Sequence, residues 1–168
     1  EVRVRARIDE LRRDPQLVAI LADAALQEVI DPQGLADLAQ RFPQVRASFE
    51  EAGEAISRPL WKIVAEGPEA ELVRTEITQP ALLAASFAVW TVWKAQGGPS
   101  PIAVAGHSLG EYSALVCAGA LDFADGVRLV HRRGQLMQVA VPQGEGAMAA
   151  ILGLDDDQVE AACAEATG

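Results

Sequence analysis

Residues 101–113 read Pro-Ile-Ala-Val-Ala-Gly-His-Ser-Leu-Gly-Glu-Tyr-Ser. A short apolar run, Ile102 to Ala105, meets Gly106-His107-Ser108-Leu109-Gly110, and a helix-forming segment follows at once. This order predicts a strand, a sharp turn and a helix. A G-x-S-x-G match acquires its meaning as a nucleophile elbow in that setting, because the serine hydroxyl then projects from the end of a sheet. A side chain at Gly106 or Gly110 would collide with a neighbouring element as the turn tightens. The N–H of Leu109 falls in the first helical turn, where backbone donors lack an intrahelical partner, so it can donate to an oxyanion.

Working outward, the 168 residues, half of them hydrophobic, suit one globular domain or most of one. The net charge is -10, and no Lys/Arg stripe with interleaved aromatics stands out. Nucleic acid is therefore not an expected partner. Cys117 and Cys163 lie far apart, in no metal or redox spacing, on predicted helices among small apolar residues. Core packing and a reducing, cytoplasmic compartment are expected for them. No apolar run approaches the ~20 residues of a membrane span. Arg3, Arg5, Arg7, Arg12 and Arg13 precede the apolar Leu17–Ala22, which loosely resembles a signal peptide. Acidic Asp9, Glu10, Asp14 and Asp23 spoil that pattern. The chain lacks an initiating Met, consistent with a fragment or a processed product.

Val2 to Arg13 reads as a charged helix or irregular arm, and Asp14-Pro15 as a helix start. Asp31-Pro32-Gln33-Gly34 reads as a turn, and Leu35 to Arg41 as helical. Pro43 restarts a helix whose apolar face is Val45, Phe49, Ala52 and Ile56, ended by Pro59. Leu60 to Val64 reads as an apolar connector, and Gly67-Pro68-Glu69 opens a brief helix. Thr78-Gln79-Pro80 reads as the entry of a helix apolar around most of its girth, expected against the sheet and stopped by Gly97-Gly98. Asp122 caps a helix from Phe123 to about Val139, with Val127, Leu129, Val130 and Leu136 inward. Ala147 to Leu152 reads as a strand, and Asp155 caps a last amphipathic helix carrying Val159, Ala162 and Cys163.

Three strings in this order, Thr78-Gln79-Pro80-Ala81, Gly106 to Leu115, and Arg133-Gly134 with Met137-Gln138, resemble the malonyl-CoA:acyl-carrier-protein transacylase family. That family belongs with the acyltransferase domains of fatty-acid and polyketide synthases. The resemblance runs from about Gly34 to the end. It implies an α/β fold: an α/β-hydrolase-like parallel sheet with a nucleophile elbow, plus the start of a small ferredoxin-like subdomain. The implied division is a divergent helical segment over 1–33, a partial acyltransferase core over 34–141, and the start of the subdomain over 142–168.

The resemblance also implies the chemistry. Ser108 matches the serine that takes malonyl from malonyl-CoA as an ester and passes it to the phosphopantetheine thiol of acyl carrier protein. Leu109 N–H matches an oxyanion donor. Arg133 matches the arginine that grips the malonyl carboxylate, a task suited to a planar guanidinium. Gln79 matches a polar residue near the site, and His107 precedes the serine in the family too, grouped here with the substrate-binding residues. Adjacency on a sharp turn argues against His107 as the base, and His131 reads as a surface residue. No metal and no cofactor are implied, since the coenzyme A thioester is the substrate, and a monomer is expected.

Two departures from the family stand out. Its opening GQGSQ motif, whose glutamine completes the oxyanion hole, is absent; Ala25 to Ile30 stands there, with Gln27 near the register. The family's general-base histidine lies well beyond the serine, and neither His107 nor His131 matches it. Loss of such a base costs roughly 10⁴ to 10⁶ in turnover, so this chain alone is expected to be nearly inert. Two other readings remain open on the residues. One is a serine hydrolase or thioesterase, which the elbow permits but which has no need of Arg133 and for which no HGGG-type loop is present. The other is a non-catalytic member with exposed sheet edges.

Overall fold

The computed structural model describes residues 32–140 and 153–166 of the chain. The expected arm and helix before residue 31, the loop 142–146 and the strand Ala147 to Leu152 lie outside the described residues. Within them the elements are α1 (Pro32–Arg41), α2 (Pro43–Ala55), α3 (Leu60–Glu66), α4 (Glu69–Leu72), α5 (Thr75–Ala95), α6 (Leu109–Cys117), α7 (Phe123–Ala140) and α8 (Asp156–Ala166).

The expected α/β-hydrolase-like sheet is not found: no strand occurs among the described residues. The apolar run Ile102 to Ala105 is irregular, with Ile102 69% exposed. A strand is held by its neighbours, because its N–H and C=O groups need partners. No other described segment lies in a ladder with this one, so β-propensity alone does not make it a strand.

The core is built around α5, which packs against α2, α6 and α7. Ile77, Ala81, Leu83, Ala84 and Ala88 of α5 are fully buried, as are Val45, Phe49 and Ala52 on the expected face of α2. Phe87 of α5 stacks on Phe123 of α7, with ring centroids 4.1 Å apart. Most of the apolar girth of α5 is thus covered by helices, while Val89 stays 57% exposed. Pro43 stands in the first turn of α2, where its missing N–H loses nothing. Asp122 caps α7 by accepting from the Asp125 N–H at 3.2 Å.

Several local expectations change. Helix α1 begins at Pro32, inside the expected turn. Leu60 to Val64 is helical, because Leu60, Ile63 and Val64 fall on one face and bury together. Thr78 is not the entry of α5, which begins a turn earlier and carries Pro80 in its interior. On α7, Val127 and Val130 are inward as expected, whereas Leu129 and Leu136 are about half exposed at 50% and 52%. Cys117 is buried, but Cys163 is exposed.

Pro80 has a structural consequence. It has no N–H to give to the carbonyl of Glu76, four residues back. That carbonyl is met by Nδ1 of His131, 2.8 Å away on α7. His131 is therefore half-buried and joins two helices, where a surface residue was expected. At the other end of α5, Trp93 Nε1 donates to the Pro99 carbonyl at 3.0 Å. Gly98 lies flat on the indole, where a Cβ would come within 2.2 Å of the ring. This contact anchors the start of the segment that leads to Ser108. No helix of the described residues is long and apolar enough to cross a membrane.

Candidate functional site

Ser108 precedes the first residue of α6 with φ 55° and ψ -114°. A non-glycine residue rarely occupies that region, and here it turns the chain abruptly into the helix. The turn is fastened by Gly110 N–H to the His107 carbonyl at 2.9 Å and Glu111 N–H to the Ser108 carbonyl at 3.3 Å. Its tightness explains Gly106. A Cβ there would lie 1.9 Å from the carbonyl oxygen of Gly110, inside any contact distance. The first turn of α6 itself excludes the side chain, without help from a sheet. Leu109 opens α6, so its N–H has no intrahelical acceptor and faces the same end of the helix as Ser108.

Arg133, on α7, reaches this turn from 25 residues away. Its Nη2 donates to Ser108 Oγ at 2.9 Å. Its Nη1 donates to Oε1 of Gln79, on α5, at 2.6 Å. Gln79 is 4% exposed, and its Nε2 donates to Sδ of Met137, one turn beyond Arg133, at 3.4 Å. Three segments distant in sequence thus meet through one guanidinium. A close helix crossing permits this: a Cβ on Gly134 would stand 2.5 Å from Cα of Glu76 and 2.6 Å from the Thr75 carbonyl.

Of the residues expected at the site, Ser108, Leu109, Arg133 and Gln79 come together, while His107 does not join them. His107 is exposed, and no hydrogen bond links its ring to Ser108. The two ring nitrogens of His131 are engaged by the Glu76 carbonyl and, at 3.1 Å, by Gln135. Neither histidine is bonded to the serine. The arrangement presents a hydroxyl at a helix N-terminus, beside a cation whose remaining N–H groups can take a carboxylate. The arrangement of Pro80, Glu76 and His131 is not among the features expected from the residues. A proline inside an apolar helical pattern was the available signal, since it orphans a carbonyl that some donor must meet.

Residues 34–167 match the family model described as the acyl transferase domain. The malonyl CoA-acyl carrier protein transacylase of Escherichia coli (strain K12) is 58% identical over 132 residues, which are 79% of this chain and 43% of that protein. The protein of the same name from Bacillus subtilis (strain 168) is 48% identical over 124 residues, 74% of this chain and 39% of that protein. Among solved structures, an acyl carrier protein S-malonyltransferase from Vibrio cholerae is 55% identical with a TM-score of 0.72, covering 79% of this chain and 43% of that one. A malonyl-transacylase in complex with its type II PKS acyl-carrier protein is 57% identical with a TM-score of 0.73, covering 78% of this chain and 42% of that one. The chain spans about 43% of the length of the Escherichia coli relative.

Proposed function

The chain belongs to the acyl transferase domain family, and from that premise we propose that it carries the nucleophile and the carboxylate anchor of a malonyl-CoA:acyl-carrier-protein transacylase. In the first half-reaction Ser108 Oγ bonds to the thioester carbonyl carbon of malonyl-CoA. The carbon–sulfur bond breaks, coenzyme A leaves as its thiol with the serine proton, and a malonyl-serine ester remains. In the second, the phosphopantetheine thiol of acyl carrier protein bonds to the ester carbonyl carbon, the carbon–oxygen bond to Ser108 breaks, the thiol proton goes to the serine oxygen, and malonyl leaves as the carrier thioester. The Leu109 N–H, which opens α6 without an intrahelical acceptor, donates to the oxyanion formed in both steps. Arg133 pairs with the malonyl carboxylate, which sets the carbonyl beside the serine.

The observation that carries this reading is the 2.9 Å contact from Arg133 Nη2 to Ser108 Oγ. A fixed cation beside the nucleophile selects an acyl group that bears its own anion, and a hydrolase of neutral esters gains nothing from it. A cytoplasmic setting accompanies this reading, supported by cysteines in no redox spacing.

Joining the chain to segments that carry the family's GQGSQ motif and general-base histidine, then mixing it with malonyl-CoA and acyl carrier protein, tests it, with intact mass and peptide mapping as the readout. A malonyl adduct on Ser108, lost in Ser108→Ala and passed to the carrier thiol, is the expected result. Release of free malonate with no carrier product would point to the hydrolase instead.

A further inference from the structure

Gln79 can act on acyl selection without touching an acyl group. A guanidinium has donors and no acceptor, so the atom of Gln79 that faces Arg133 must be Oε1. That assignment sends Nε2 the other way, where it meets the thioether of Met137. Both polar atoms of the amide are then spent inside the protein, and the side chain is 4% exposed. The acceptor for Arg133 is thus a neutral, buried, oriented dipole. A carboxylate there would hold the arginine as well but would also cancel its charge, leaving little attraction for a second anion.

We propose that Gln79, oriented by Met137, is a positioning residue that sets selectivity for carboxylated acyl groups by holding Arg133 in place with its charge unspent. The proposal rests on the transacylase reading above. Two of the five N–H donors of Arg133 are committed, one to Gln79 and one to Ser108. The part-buried contact to Gln79 fixes the plane of the fork, and the malonyl carboxylate takes the donors that remain or displaces Ser108 from Nη2. Without Gln79, the arginine retains its charge but loses its aim.

The test is calorimetric titration of the full chain with malonyl-CoA and with acetyl-CoA, reading the ratio of the two affinities. Binding needs no general base, so the readout does not depend on turnover. Wild-type protein should prefer malonyl-CoA, and Gln79→Leu should reduce that preference by about tenfold, the scale of one hydrogen bond to a charge. Gln79→Glu should abolish it, because the new ion pair neutralises Arg133. Met137→Leu, a change at a partly exposed residue, should lower the preference by a smaller factor by freeing the amide to rotate; it also serves if Gln79→Leu does not fold. Arg133→Ala separates the two levels of the argument. If wild type shows no preference, or Arg133→Ala keeps it, the transacylase reading of Arg133 fails and takes this inference with it. If Arg133→Ala abolishes the preference while Gln79→Glu and Met137→Leu both retain it, the role of Gln79 alone is overturned.

Discussion

His131 Nδ1 lies 2.8 Å from the carbonyl oxygen of Glu76, the acceptor that Pro80 leaves without an intrahelical donor. The proline and the histidine are 51 positions apart yet answer one another: the defect made in α5 by one is repaired from α7 by the other. The repair fixes the His131 tautomer, with the proton on Nδ1, and leaves Nε2 to accept from Gln135.

His131→Ala should therefore cost about 1–3 kcal/mol, the penalty of a part-buried carbonyl left unmet. In a Pro80→Ala background the alanine N–H can satisfy Glu76 directly, so the same His131→Ala change should cost less. Urea melts of the four proteins of this double-mutant cycle measure the coupling. Equal costs in both backgrounds would show that the histidine is not compensating for the proline.

Gly134→Ala should separate α5 from α7. The added Cβ would meet backbone atoms of Glu76 and Thr75 at 2.5 and 2.6 Å, and backbone cannot swing aside as a side chain can. A loss of about 1–3 kcal/mol is expected, as for overpacking in general. The Arg133 to Gln79 bond spans the same crossing, so Ser108 acylation should fall along with the melting temperature.

Ser108→Gly should stabilise the fold while removing the proposed nucleophile. Holding serine at φ 55° costs about 1–3 kcal/mol, against about 0.5–1 kcal/mol for the added freedom of glycine when unfolded. The contact given up, from Arg133, is solvent-exposed and correspondingly weak. A rise in melting temperature with no acyl adduct is the expected result. A fall would mean that the bond to Arg133 outweighs the strained turn.

Cys117 should stay unreactive where Cys163 reacts. Burial on α6 pushes the Cys117 thiol up to about 11 from an ordinary 9.0, with Lys94 pulling slightly the other way. Maleimide labelling at pH 8 should modify exposed Cys163 first. The native state holds the Cys117 proton more tightly than the unfolded chain does. Its contribution to stability is therefore complete below about pH 9 and lost as pH rises toward 11. Melts across that range should show the decline, and Cys117→Ala should reduce it.

The elements that depend on local chemistry were legible in the residues. Gly106 and Gly110 announced the tight turn, Pro43 and Asp122 announced helix starts, and the spacing of Val45, Phe49 and Ala52 announced a buried face. What failed depended on neighbours. Ile102 to Ala105 has strand composition and no described partner. Leu129 and Leu136 have core composition but fall on the side of α7 that α5 does not cover. Leu60 to Val64 looked like a connector because the seven residues of α3 are too few to show a helical period. At the site, the roles proposed for Ser108 and Arg133 rest on motif resemblance. The chain of contacts from Arg133 through Gln79 to Met137 could not be drawn from it, because it depends on how closely α5 and α7 cross.

The bond from Trp93 to Pro99 turns the end of α5 into an optical reporter. The indole N–H is engaged by the very segment that runs on to the elbow, and Gly98 covers one face of the ring. Trp93 is already 36% exposed, and any loosening of that approach would bare the ring further and shift its emission to the red. Trp61 packs edge-on against Phe49, at the other side of the core, and serves as an internal reference. With only three tryptophans in the chain, replacing Trp90 by Phe would leave one lamp on the approach to Ser108 and one on the helices behind it.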